Sequence, residues 1–200
     1  VTITTYPSFT EFFITPGLVY VNPSGLDAEA NYGTLLGWLD GPASAEYFQP
    51  TQQVSNHLGN DPVREYLTGR PWWRLRCRVL NRNLAALQIA FPGQVTNTGG
   101  DTKNVVTPGP SAAAPVTFLP GENLVSSDYC KRILFMPEDE GAIHQIWLAQ
   151  FALGKQIGSI ENGMSERVLN LELHTYDRPS ATAAYRRFFE GAKGNATLLA

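Results

Sequence analysis

Residues 57–93 read HLGNDPVREYLTGRPWWRLRCRVLNRNLAALQIAFPG, and this stretch decides the fold class. Its centre, Trp72 to Leu80, alternates without a break. Trp73, Leu75, Cys77 and Val79 project one way, and Arg74, Arg76 and Arg78 the other. That is a strand with one face built for a core and one carrying three guanidinium groups, which need acids, water or a second surface. Upstream, Gly59–Asn60–Asp61–Pro62 turn into a strand VREYL, and Thr68–Gly69–Arg70–Pro71 turn into the arginine strand, so the expected arrangement is an antiparallel meander. Downstream, Asn81 is a helix-capping residue type. Leu84, Leu87, Gln88 and Phe91 recur at helical spacing before Pro92–Gly93, which predicts one helix of ~9–11 residues.

Further strands are expected at Gly17 to Asn22, Val116 to Leu119, Cys130 to Met136, Ile143 to Leu153 and Arg167 to Tyr176. In the last of these Leu169, Leu171 and Leu173 share a face opposite Asn170, Glu172 and His174. Ala45 to Leu58 reads as an extended arm or strand broken at Pro50. Residues 94–115, QVTNTGGDTKNVVTPGPSAAAP, hold almost no bulky core residues and are expected to be a flexible loop or loosely paired hairpin. The tail 180–200 is read as an extension with a short helix through Phe189 and an apolar tip.

Two hundred residues suit one domain over 1–200, and the 18 glycines and 14 prolines suit many short strands meeting at turns. Only 16% of residues are charged, against about 25% in typical domains, as suits a subunit flanked by copies of itself as well as a low-charge β protein. A net charge of −3 argues against a domain that grips nucleic acid. No apolar run reaches the ~18 residues of a spanning helix, and the opening VTITTYPSFTEFF lacks the pattern of a signal peptide, so no membrane partner is expected. Cys77 and Cys130 read as small core residues of a reduced, cytoplasmically made protein, with a disulfide between them left open.

No catalytic constellation stands out. His57, His144 and His174 lack the neighbours of a metal site or a nucleophile–base pair. The acidic run Pro137 to Glu140 lacks calcium-loop spacing and reads as a solvated turn or an acidic rim. The glycines match neither a phosphate loop nor a dinucleotide fingerprint. The expectation is therefore no enzyme, no metal and no cofactor. The arginine row has three readings: cross-strand pairs with Glu65 and Glu172, a subunit boundary at Arg74, Arg76 and Arg78, or contact with DNA.

GNDPVREYLTGRPWWRLRCRVLNRNLAALQIAFPG, then KRILFMPEDEGAIHQIWLAQ and SERVLNLELHTYDRPS, preceded by GLVYVNP and YGTLLGW, resembles the tail tube (major tail) proteins of long-tailed bacteriophages over about residues 17 to 179. The resemblance implies a mainly β fold, an antiparallel sandwich or barrel with one flanking short helix and long loops. It also implies self-association into six-membered rings, which stack into a tube through which DNA passes without specific binding. Tape-measure and tail-completion proteins would be partners, and the location would be a virion tail assembled in the host cytoplasm. Six copies at −3 each would give a ring of −18, which repels phosphates and lets DNA slide. Residues 26–47 and 94–115, the latter with Asp101, Lys103 and Asn104, are expected to be flexible segments that order against the next ring. Alternatives are another ring-forming virion component such as a tail terminator, or a monomeric ligand-binding β-sandwich using Trp38, Trp72, Trp73 and Trp147 as stacking faces.

Overall fold

A computed structural model describes residues 17–54, 64–80, 84–92, 95–97, 104–106, 125, 129–137, 145–155, 160–162, 167–177 and 188–195. The strands in chain order are β1 (Gly17–Val21), β2 (Thr34–Leu39), β3 (Ser44–Phe48), β4 (Thr51–Val54), β5 (Arg64–Leu67), β6 (Trp72–Leu80), β7 (Val95–Asn97), β8 (Asn104–Val106), β9 (Lys131–Pro137), β10 (Gln145–Gly154), β11 (Ile160–Asn162), β12 (Arg167–Thr175) and β13 (Phe188–Ala192). One helix, α1 (Leu84–Ala90), follows β6. None of the described helices is long and apolar enough to cross a membrane. The chain is mainly β with one short flanking helix, the class expected from the sequence.

Six strands close on themselves in the circuit β1–β2–β6–β12–β10–β9, each pair antiparallel. Closure leaves no unpaired border among these six, the general solution to the edge problem. Long strands achieve it by dividing an edge between two partners. β6 gives one edge to β12, from Leu80 opposite Val168 to Arg74 opposite His174. Its other edge pairs β2 at Val79 and Leu80 and β3 from Arg76 to Trp72. β10 pairs β9 along one edge, with an irregularity between Ala149 and Ala152, and shares the other between β13 (Gln145 to Ala149) and β12 (Ala152 to Gly154). Such irregularities bend strands where a barrel turns its corners.

The barrel interior holds Val19, Leu36, Leu75, Cys77, Val79, Ile133, Leu169, Leu171 and Leu173, sealed by Ala86, Leu87, Ile89 and Ala90 of α1. Gly154 permits that seal, because a Cβ there would lie 1.9 Å from the Ile89 carbonyl oxygen. β1, β9 and β10 are buried on their other face as well. Leu18, Tyr20, Leu134, Met136, Ile146 and Leu148 pack outward under Tyr32 and Phe189. Hence these strands read as unbroken apolar runs, whereas β6 and β12, with one wetter face, alternate.

Three expectations need correction. Thr68–Pro71 is not a reversing turn, since β5 pairs with β4 rather than β6. The chain 44–54 and the chain 64–76 form one long ribbon, bent where Pro50 and Pro71 supply no N–H. In the tail, Phe188–Ala192 is a strand and not the end of a helix. Phe188 packs against the interior cluster and Phe189 against the outer one, so opposite faces of a strand satisfy both, while β10 supplies the backbone partner. Residues 26–47 are also largely fixed: Tyr32 is fully buried and β2 is part of the barrel wall. Asn81 and residues 116–119 lie outside the described residues.

Candidate assembly surface

The outward face of β3, β6 and β12 is a grid set by strand register. Glu46, Arg74 and His174 form one row, and Ser44, Arg76 and Glu172 the next. Arg78 stands beside Asn170 in the row below. Each arginine meets an acid of its own chain. Arg74 donates to Glu46 through Nε at 3.2 Å and also through Nη2. Arg76 donates through Nε to Glu172 at 2.8 Å and lies 3.6 Å from Glu46. Arg78 reaches Asp40 at 3.2 Å. Of the two acids expected from the sequence, Glu172 is a partner, while Glu65 instead accepts from the Thr51 hydroxyl on the ribbon. Glu46 and Asp40 were missed because their pairing with β6 is set by non-local register, which local sequence does not encode.

Glu172 also faces the His174 ring nitrogen at 3.1 Å. Burial by itself would raise the Glu172 carboxyl, but hydrogen bonds from Arg76 and His174 and their charges outweigh it and hold the group below its ordinary range. Burial lowers His174, a shift that its bond to Glu172 only partly opposes and that Lys155 and Arg74 reinforce. Burial pushes the Cys77 thiol up to about 12, so it is an inert core residue; both cysteines are buried and free.

Above the grid the surface becomes aromatic. Trp72 lies between Phe48, with centroids 4.4 Å apart and planes 10° from parallel, and His174 at 4.2 Å. The Arg74 guanidinium sits 4.6 Å from the Phe48 ring centre. On the inward side Trp73 stacks on Phe188 at 4.5 Å and meets Tyr47, and Trp147 packs edge-on to Phe135 and Phe188 while donating Nε1–H to Glu190. Trp72 thus has both faces occupied by its own chain, and Trp73 and Trp147 are held in packing contacts. Trp38 remains 39% exposed on β2.

Beyond Phe48 and Trp72 the ribbon leaves the barrel. All four residues of β4 are exposed, and Val54, Tyr66 and Leu67 are exposed at 49%, 51% and 59%. None belongs to a core cluster. By register Val54 and Tyr66 share one face of the ribbon with Gln52 and Arg64, and Leu67 lies on the other with Thr51, Gln53 and Glu65, so both faces expose large apolar side chains that charge and motif reading passed over.

Among the described residues no group of three or more His, Cys, Asp or Glu is placed to hold a metal. His57, His144, Glu138, Asp139, Glu140, Asp101 and Lys103 lie outside the described residues. Asn104 begins β8, opposite Asn97 of β7.

No family model matches the sequence, and no curated protein matches it. Among solved structures, the chain is similar to a sheath/tube terminator of an extracellular contractile injection system (PVC) in its extended state, seen by cryo-electron microscopy. The TM-score is 0.43 at 12% identity, with 94% of this chain and 99% of that chain covered.

Proposed function

We propose that this protein is a structural, non-catalytic subunit that self-associates into rings of a tail or injection tube. The carrying observation is the β4–β5 ribbon, which projects Val54, Tyr66 and Leu67 from a barrel that is otherwise closed. In a free copy these side chains face water; against a neighbour they would be covered, with a gain of roughly 25 cal/mol for each Å² of apolar surface removed from water. Free strand borders on β3, β11 and β13, each paired along one side in the described sheet, offer further places for a neighbour. Arg74, Arg76 and Arg78 are paired with acids, and the half-exposed Arg76 and Arg78 put positive charge on the face offered to a second copy.

Hexameric rings, a lumen that passes DNA, tape-measure and completion partners, and a place in a virion tail follow as finer parts of this reading from the sequence resemblance. A stacking tube subunit and a terminator that closes the tube differ in one observable, stacked tubes against single rings. For the monomeric ligand-binding alternative, Trp72, Trp73 and Trp147 are engaged in packing within the chain, which leaves Trp38 as its exposed stacking face.

Negative-stain imaging and sedimentation velocity of the purified chain test the proposal. Rings are expected, and Tyr66→Ser with Leu67→Ser should abolish them while leaving the thermal unfolding of the barrel unchanged. A chain that stays monomeric at every concentration, or a double variant that assembles as well as the parent, would refute it.

A further inference from the structure

We propose that the β4–β5 ribbon is a pivoting arm, hinged at Pro50 and Thr68–Pro71 and held in one orientation by the Arg70–Asp177 ion pair. The inference concerns the ribbon's attachment and stands whether or not the chain forms rings.

Below the hinge, Ser44–Phe48 is paired residue for residue with β6, and above it Thr51–Val54 with β5. Between them, among the described residues, one backbone bond crosses the ribbon, from the Thr68 N–H to the Pro50 carbonyl at 2.9 Å. Pro50 and Pro71 have no N–H to add, and Gly69 between them carries the least backbone restriction of any residue. Sheet continuity is therefore thinnest at this level. Burial does not fix the arm either, because none of its apolar side chains enters a core cluster.

Among the described residues, one side-chain ion pair joins the hinge to the end of β12. Arg70, inside the hinge, donates from Nη1 to Asp177 Oδ2 at 2.6 Å, just past the end of β12, and its side chain is 81% exposed. Trp72, below the hinge, is clamped between Phe48 and His174, which makes the barrel side of the hinge the fixed one. The ion pair ties the hinge to the barrel on one side of the ribbon. An exposed ion pair is weak enough to be exchanged for a competing contact, so a neighbour binding the arm can redirect it without unfolding the barrel.

The test uses the full chain with spin labels at Ser44→Cys and Gln53→Cys, on either side of the hinge, diluted in excess unlabelled protein; the native cysteines are buried. Pulsed electron paramagnetic resonance should give one distance population in the parent. Asp177→Asn and Arg70→Gln should each broaden it about twofold, with unfolding midpoints unchanged, and the two together should broaden it no further. Distance distributions in both variants that superimpose on the parent would overturn the hinge and make the ribbon a rigid extension of the barrel.

Discussion

β3 with β6 and β4 with β5 are successive lengths of one antiparallel ribbon, yet only the first has a layer behind it. In the first length Leu75 and Cys77 are buried beneath the barrel wall. In the second, Tyr66 and Leu67 pair with β4 along one edge and are exposed. β6 differs from β5 in two ways, a second paired edge on β12 and a cluster beneath Leu75, so the contrast reports lateral pairing and the second layer together. A two-stranded hairpin alone is marginal in water, and the ribbon persists as an outgrowth of strands anchored elsewhere.

The contrast can be broken most directly by truncation. Leu75→Ala should lower unfolding free energy by about 2–5 kcal/mol, because the buried site cannot collapse fully. Leu67→Ala should change it by no more than ~0.5 kcal/mol. Urea titration of both decides the matter: equal costs would mean that the ribbon has a hidden layer. Next in size, Gly154→Ala should cost about 1–3 kcal/mol in the same assay by forcing α1 off the barrel, whereas Gly41→Ala has open space around it and only the cost of its positive φ.

The charged grid sharpens the comparison at smaller scale. Glu172→Gln weakens contacts to Arg76 and His174 beside the barrel seam and should cost about 1.5–3 kcal/mol, the range for bonds to charged groups. Asp40→Asn, at the more exposed Arg78 pair, should cost less than ~1 kcal/mol. Chemical denaturation of each single variant separates them. The smallest effect is in pH. His174 binds a proton less readily folded than unfolded, so its contribution is complete above its ordinary value of 6.5 and fades as pH falls through the lower folded value. Glu172 is likewise depressed, and its contribution persists above the ordinary 4.5 and is lost in more acid solution. Unfolding midpoints should therefore drop between pH 7 and 5, and His174→Gln should flatten that portion of the profile. An unchanged slope would show that His174 is not the titrating group.

The sequence disclosed what local periodicity can carry. Alternation in Trp72 to Leu80 and in Leu169 to Leu173 marked which side chains enter the core, and helical spacing marked α1. It did not disclose features that depend on distant register. Glu46 and Asp40 lie across the strand edge from the arginines, and nothing near Arg74 or Arg78 in sequence points to them. Thr68–Gly69–Arg70–Pro71 has the chemistry of a turn, and whether it reverses the chain or merely bends it is decided by what its flanking strands pair with. The tail ATAAYRRFF has good local helix formers, but the open side of β10 outweighs them once the sheet exists.

β12 is the keystone of the circuit, bonded to β6 some ninety residues earlier and to β10 just before it. A ribosome must therefore release residue 175 from its exit tunnel before the wall can shut. Until then every nascent copy carries arginine-studded and leucine-lined margins with nothing opposite, and crowded polysomes put those margins side by side. Translation speed through β9, β10 and β12 thus becomes a determinant of how much protein reaches its native form.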